Sequence, residues 1–188
     1  AEREQLVRSL QHANEELASL AMLDSLTGLP NRRCVTEELN RLIAHCRRTR
    51  EWVLVGFVDL DRFKQINDQF GHEAGDALLR AMAEQLRSGL RSSDMLARFG
   101  GDEFVMVGAG PLLDEDAEAV IREMQLRLSK ASVASLQLAD GREIEYAGAS
   151  VGMVCLMPDD TDVDDALQKA DAAMYKVKAA RQRLPEVI

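Results

Sequence analysis

The run Trp52-Val53-Leu54-Val55-Gly56-Phe57-Val58 constrains the fold of this chain more than any other feature. It is apolar throughout, short, and lacks the alternation of a strand with one wet face, so it predicts a central strand covered on both sides. It ends in Asp59-Leu60-Asp61, which sets two carboxylates at the carboxyl edge of a sheet just before a predicted helix. Open sheets bind ligands at such edges.

Around this strand the pattern alternates. Helices are predicted from about Val35 to Arg48, Arg62 to Phe70, Glu73 to Leu90, Asp114 to Lys130 and Asp162 to about Arg181. Met95 to Phe99 and Glu103 to Val107 flank Gly100-Gly101, a hairpin signal because glycine adopts positive φ cheaply. Val133 to Leu138 and Glu145 to Leu156 read as a second hairpin turning near Asp140-Gly141. Strands interleaved with helices, plus two hairpins, give an α+β fold: a mostly antiparallel sheet of about five strands covered by helices.

Ahead of this globule, Leu6, Leu10, Ala13, Leu17 and Leu20 alternate spacings of four and three residues, the a/d seam of a coiled coil. The stripe has two readings: a helix packing on its own domain, or the end of a signalling coiled coil with more chain upstream. A polar far side and the lack of a cap favour the second. Gly28 and Pro30 then break the helical pattern. The organisation is therefore a linker helix over 1–23, a globular domain over 24–184 and a short tail over 185–188.

With 188 residues the chain is long enough for one ordinary domain. Its 32 acidic residues outnumber its 23 basic ones, which argues against a nucleic-acid polymer as partner but leaves room for a nucleotide held through a metal. Cys34, Cys46 and Cys155 are odd in number and far apart, fitting neither a disulfide framework nor zinc spacing, and read as free thiols in a reducing cytoplasm. No apolar run approaches the roughly 20 residues of a membrane span, and the start is a polar helix rather than a signal peptide, although an anchor upstream is compatible with the pattern.

The carboxylates at the strand end suit a hard cation, since magnesium takes one or two carboxylates with water and phosphate oxygens. Asp59 is the candidate ligand and Asp61 the candidate helix cap. An EF-hand is excluded by Phe63 and Lys64 at ligand and glycine positions, and there is no Walker loop. Phosphates would be held by N–H groups at the start of the Arg62 helix, with help from Lys64. Asp102 and Glu103 follow the glycine pair and point to opposite faces, so one of them can meet Asp59.

Arg98-Phe99-Gly100-Gly101-Asp102-Glu103-Phe104 and the long stretch from Phe57 to Asp76 resemble the GGDEF domain of bacterial diguanylate cyclases. Asp24 to Arg32 resembles that family's entry motif, and Ala170 to Lys178 its final helix. The resemblance covers roughly Asp24 to Gln182, and several long motifs in the right order are more specific than the five-letter signature alone. It implies a nucleotidyl-cyclase or polymerase-palm-like domain that condenses two GTP molecules into cyclic di-GMP and two pyrophosphates.

Carried onto this chain, the resemblance implies that Asp59 and Asp102, with the backbone carbonyl of Leu60, hold Mg2+, for which Mn2+ can substitute. Backbone groups of Arg62 and Phe63 with the side chains of Lys64 and Lys178 would cradle the β- and γ-phosphates, beside Gly100 and Gly101. Asn67 and Asp76 would read guanine, and a carboxylate does suit the N–H groups of guanine's Watson–Crick edge. Glu103 has two open readings: it helps deprotonate the attacking 3′-hydroxyl, or it is a second ligand or structural carboxylate. His72 is left out of catalysis.

One such domain binds one GTP, so the resemblance implies a homodimer, with the helix over 1–23 setting two half-sites face to face under an upstream sensor. Arg91-Ser92-Ser93-Asp94 matches the family's RxxD site, so Arg91 and Asp94 are expected to bind product and restrain the enzyme. The chain departs from the pattern at its end. The expected phosphate-binding arginine falls on Gln182, so either a neighbouring arginine, Arg181 or Arg183, substitutes for it or triphosphate affinity is reduced. The acidic run Asp159 to Asp162 reads as a helix cap. The alternative function is a receptor domain that holds GTP or cyclic di-GMP without turnover.

Overall fold

The structure, a computed structural model, describes Gln5, Val7 and residues 22–183. The predicted coiled-coil seam at Leu6, Leu10, Ala13, Leu17 and Leu20 lies outside the described residues, as does the tail over 185–188. The elements are α1 (Arg32–Thr49), β1 (Glu51–Leu60), α2 (Phe63–Phe70), α3 (His72–Ser88), β2 (Met95–Arg98), β3 (Glu103–Leu112), α4 (Ala117–Ala131), β4 (Ala134–Gln137), β5 (Glu143–Tyr146), β6 (Ala149–Leu156) and α5 (Val163–Gln182). No helix among the described residues is long and apolar enough to cross a membrane.

The class is the expected one. Four strands form an antiparallel sheet in the order β2-β3-β1-β6, and β4 and β5 pair separately as a two-stranded ribbon. β1 is interior to the sheet and apolar on both faces because both are covered. Its odd residues Val53, Val55 and Phe57 pack with Val35, Leu39 and Ile43 of α1 and Ala166, Ala170 and Met174 of α5. Its even residues Leu54, Val58 and Leu60 pack with Leu78, Met82 and Leu86 of α3 and Met124 and Leu128 of α4. Each such fully buried aliphatic side chain contributes about 1.5–3 kcal/mol. Side-chain caps start α1, α4 and α5: Asn31, Asp116 and Asp162 accept from N–H groups two or three residues on. The acidic run before α5 thus serves as expected.

Two local expectations are corrected. Glu145 to Leu156 is not one arm of a hairpin. Tyr146 ends the β4–β5 ribbon, Gly148 turns the chain at φ 107°, and Ala149 begins β6 in the main sheet, its N–H donating to the buried Ser132 hydroxyl at 2.8 Å. The Gly100-Gly101 turn does join β2 to β3, but neither glycine has positive φ. What Gly100 supplies is room: a Cβ there would lie 2.5 Å from a carboxylate oxygen of Glu103, whereas one on Gly101 would meet nothing within 4 Å.

Cys34, Cys46 and Cys155 are free. Burial pushes the Cys46 and Cys155 thiols up to about 11, which keeps them protonated and unreactive.

Candidate active site

Alternation along β1 decides where its terminal carboxylates go. Asp59 and Asp61 share the face of Val55 and Phe57, the face covered by α5. The Asp59 side chain is nearly buried, and its Oδ1 accepts from Lys178 Nζ of α5 at 2.6 Å. Asp61 does not cap the next helix, contrary to expectation. Its Oδ1 accepts from the buried Ser150 hydroxyl at 2.7 Å and its Oδ2 pairs with Arg181 Nε at 2.8 Å. Arg62 occupies the position before α2, in the left-handed region at φ 58°, and supplies no side-chain cap. Phe63 and Lys64 then open α2.

The signature turn lies against the same edge. The N–H of Leu60 donates to the carbonyl of Asp102 at 3.0 Å, and Glu103 stands directly across from Asp59 in the β1–β3 register. Burial and then the charge of Asp59 push the Asp102 carboxyl above its ordinary value, against the pull of its own backbone N–H, Lys178 and Arg98. Glu103 is raised likewise, by burial and by Asp102, Asp59 and Asp171, with Lys178 opposing. Burial disfavours the charged form of Lys178, but the Asp59 hydrogen bond and the charges of Asp59, Asp61 and Asp102 outweigh it and raise its pKa. The edge is therefore short of positive charge.

A divalent cation fits that donor set. Among the described residues no three His, Cys, Asp or Glu side chains form a closed metal cage, and magnesium does not need one, because one or two carboxylates plus phosphate oxygens suffice. Asp59 and Asp102 provide two carboxylates whose mutual repulsion a cation would relieve.

The proposed base-reading residues lie on neighbouring helices. Asn67 of α2 packs on Gly75 of α3 so closely that a Cβ at Gly75 would lie 1.9 Å from Asn67 Oδ1. Asp76 is the next residue along α3, and both it and Asn67 are half-buried. Gly75 was missed in the sequence, although a glycine inside a helix, about 1 kcal/mol worse than alanine, signals close approach.

Arg91 and Asp94 fall elsewhere, separated from the signature turn by the length of β2. Asp94 folds back on its own turn: it accepts from the Arg91 N–H at 3.0 Å and its carboxylate lies over Gly108. Burial raises its pKa, opposed by that N–H and by the charges of Arg91 and Arg127. Arg127, on α4, was not identified from the sequence, which carries no spacing signal linking the two segments. Arg181, one of the two arginines flanking Gln182, pairs with Asp61, a contact the sequence did not signal. It lies one turn beyond Lys178 and is half-buried at Asp61, whereas Gln182 is exposed.

The family model for the diguanylate cyclase GGDEF domain matches residues 21–183. The chain belongs to that family. It is 39% identical over 186 residues to the diguanylate cyclase DgcP of Escherichia coli (strain K12), covering 99% of this chain and 53% of that protein. The chain thus spans about half the length of that relative. Among solved structures, a sensory box/GGDEF family protein from Caulobacter crescentus CB15 is 37% identical with a TM-score of 0.77, over 85% of this chain and 99% of that one. The coiled coil and GGDEF domain of DgcB from Caulobacter crescentus, solved in complex with c-di-GMP, is 26% identical with a TM-score of 0.73, over 96% and 92% of the two chains.

Proposed function

We propose that this chain is the catalytic part of a diguanylate cyclase, condensing two GTP molecules into cyclic di-GMP with release of two pyrophosphates. The observation that carries the reading is the convergence of Asp59, Asp102 and Glu103 at one sheet edge with Lys178 as their shared cation. The name of the E. coli relative supports it.

Asp59, Asp102 and the carbonyl of Leu60 would hold Mg2+, or Mn2+ in its place, which when bound supplies positive charge to the triphosphate oxygens. Lys178 and Lys64, with the backbone N–H groups of Arg62 and Phe63, bind the β- and γ-phosphates. Gly101, open on its outer side, admits the nucleotide next to Gly100. Asn67 and Asp76 select guanine through its Watson–Crick edge. Glu103 accepts the proton of the attacking 3′-hydroxyl, a role supported by burial and acidic neighbours that raise its pKa above the ordinary value.

Each domain holds one GTP, so two copies face each other as a homodimer, brought together in the cytoplasm by the segment over 1–23 under an upstream sensor. Product bound at Arg91 and Asp94 restrains turnover. The name of the Caulobacter DgcB structure, a complex with c-di-GMP, fits a product-binding family.

A second reading, a receptor that binds GTP or cyclic di-GMP without turnover, is favoured only by Gln182 at the expected arginine position. Incubating nucleotide-free protein with GTP and magnesium at rising protein concentration separates the two. Cyclic di-GMP formed at a rate rising faster than linearly with protein supports the cyclase. Bound nucleotide with no product, even when the N-terminal segment is artificially dimerised, supports the receptor.

A further inference from the structure

Two carboxylates on one face of β1 meet two cations on α5. Asp59 pairs with Lys178 at 2.6 Å and Asp61 with Arg181 at 2.8 Å. The two cations are three residues apart, one helical turn, so the pairs lie side by side. Arg181 is tethered twice, because its second arm donates to the Ala147 carbonyl in the β5–β6 turn at 3.3 Å. Asp61 is tethered as well, by the buried Ser150 hydroxyl. Asp61 is therefore a fixed negative charge whose field also reaches Lys178, and Arg181 is what neutralises it.

We propose that Arg181 is a positioning residue: by holding Asp61 it leaves Lys178 committed to Asp59 and to an incoming triphosphate. Without Arg181, Asp61 competes for the Lys178 ammonium, and charges a few ångströms apart at a protein surface interact strongly enough to redirect a flexible lysine. Arg181 thus acts through Asp61 and Lys178, not as a phosphate ligand standing in for Gln182. This inference rests on the GTP-binding part of the function proposed above.

The test is a double-mutant cycle on the intact chain, with the Kd for GTP measured by calorimetry with and without magnesium and melting temperatures recorded alongside. Arg181→Ala is expected to weaken GTP about tenfold, the size of one lost charge-assisted interaction. Asp61→Asn alone is expected to change Kd by no more than about twofold, and Arg181→Ala with Asp61→Asn to return it to within about threefold of wild type, since coupled sites are non-additive. Arg181→Lys, which keeps the charge and loses the Ala147 tether, should restore most of the affinity. If Asp61→Asn changes Kd by the same factor in both backgrounds, the two residues are uncoupled and Arg181 is a direct ligand or a bystander. Failure of the cyclase reading shows separately, as wild-type protein that binds GTP and forms no cyclic di-GMP, with the cycle still readable. Wild-type protein that does not bind GTP overturns both.

Discussion

Arg98 ties the entry segment to the signature turn through Asp24. Its Nη1 donates to both carboxylate oxygens of Asp24 at 3.2 Å, and its Nη2 donates to the Gly101 carbonyl at 2.8 Å. Asp24 is itself fixed by the Thr27 hydroxyl at 2.7 Å and the Thr27 N–H at 2.9 Å. The point where the chain enters the domain is thus one side chain away from the turn that carries Asp102. Arg98→Ala should lower cyclic di-GMP formation about tenfold or more by loosening that turn, while the domain keeps its fold by circular dichroism. Unchanged turnover would mean that the turn holds its shape without the arginine.

The same pair has a pH signature. Burial by itself would raise the Asp24 carboxyl, but hydrogen bonds from Thr27 and Arg98 outweigh it and hold Asp24 below its ordinary value of 3.8. A group depressed in the folded state stabilises the fold fully above its unfolded pKa and loses that contribution as pH falls through the folded value. Asp24→Asn should therefore melt below wild type at neutral pH, with the gap closing below about pH 4. A gap that persists in acid would assign the loss to packing.

Gly152 and Gly101 make opposite predictions. A Cβ at Gly152 would lie 2.0 Å from the backbone nitrogen of Met174, so α5 rests directly on β6 there. Gly152→Ala must displace the helix that carries Lys178 and Arg181, and should cost about 3 kcal/mol in urea unfolding and weaken GTP binding. Gly101→Ala meets nothing. Its stability should stay within about 0.5 kcal/mol of wild type, while its GTP KM rises because the methyl occupies space proposed for the nucleotide.

Tyr146 is buried, and its hydroxyl has no hydrogen-bond partner among the described residues. Burial and the charges of Asp61 and Asp59 drive its pKa far upward, so the phenol stays protonated. Tyr146→Phe removes an unsatisfied polar group at little change of shape and should raise stability by about 1 kcal/mol. A fall in stability would reveal a buried water bonded to the hydroxyl.

The product inhibition proposed for Arg91 and Asp94 supplies another check. Asp94 is held by its own turn and feels Arg91 and Arg127. Arg91→Ala should raise the cyclic di-GMP concentration needed for half-inhibition by about tenfold or more without changing the initial rate at low product. Arg127→Ala should shift it in the same direction, and an effect from neither would remove the site from that face.

Much of the fold was legible because local patterns and tertiary demands agree. The unbroken apolar run of β1 is a doubly covered strand, and the helical stripes of α1 and α3 face it. The β5–β6 break was not legible, since Glu145 to Leu156 carries two glycines, Gly148 at the break and Gly152 inside β6, and nothing local tells which of them separates two strands of different sheets. In the site, Asp59 and Asp102 were readable from strand-end chemistry and motif, and the structure brings them to one edge. The misassignment of Asp61 as a cap has a physical cause: its partners, Ser150 and Arg181, lie 89 and 120 residues away in sequence, and no local rule reports such contacts. The Arg98–Asp24 pair, 74 residues apart, was hidden for the same reason.

The most direct measurement is the initial rate of cyclic di-GMP formation from GTP and magnesium by wild type, Asp59→Asn and Asp102→Asn, with melting temperatures measured in parallel. Each substitution keeps shape and removes one charge from the pair proposed to hold the cation. Both variants should fold and lose about a thousandfold or more in rate, the scale of lost electrostatic stabilisation at a transferring phosphoryl group. Folded variants that retain rates within tenfold of wild type would show that the chemistry does not run through this pair of carboxylates.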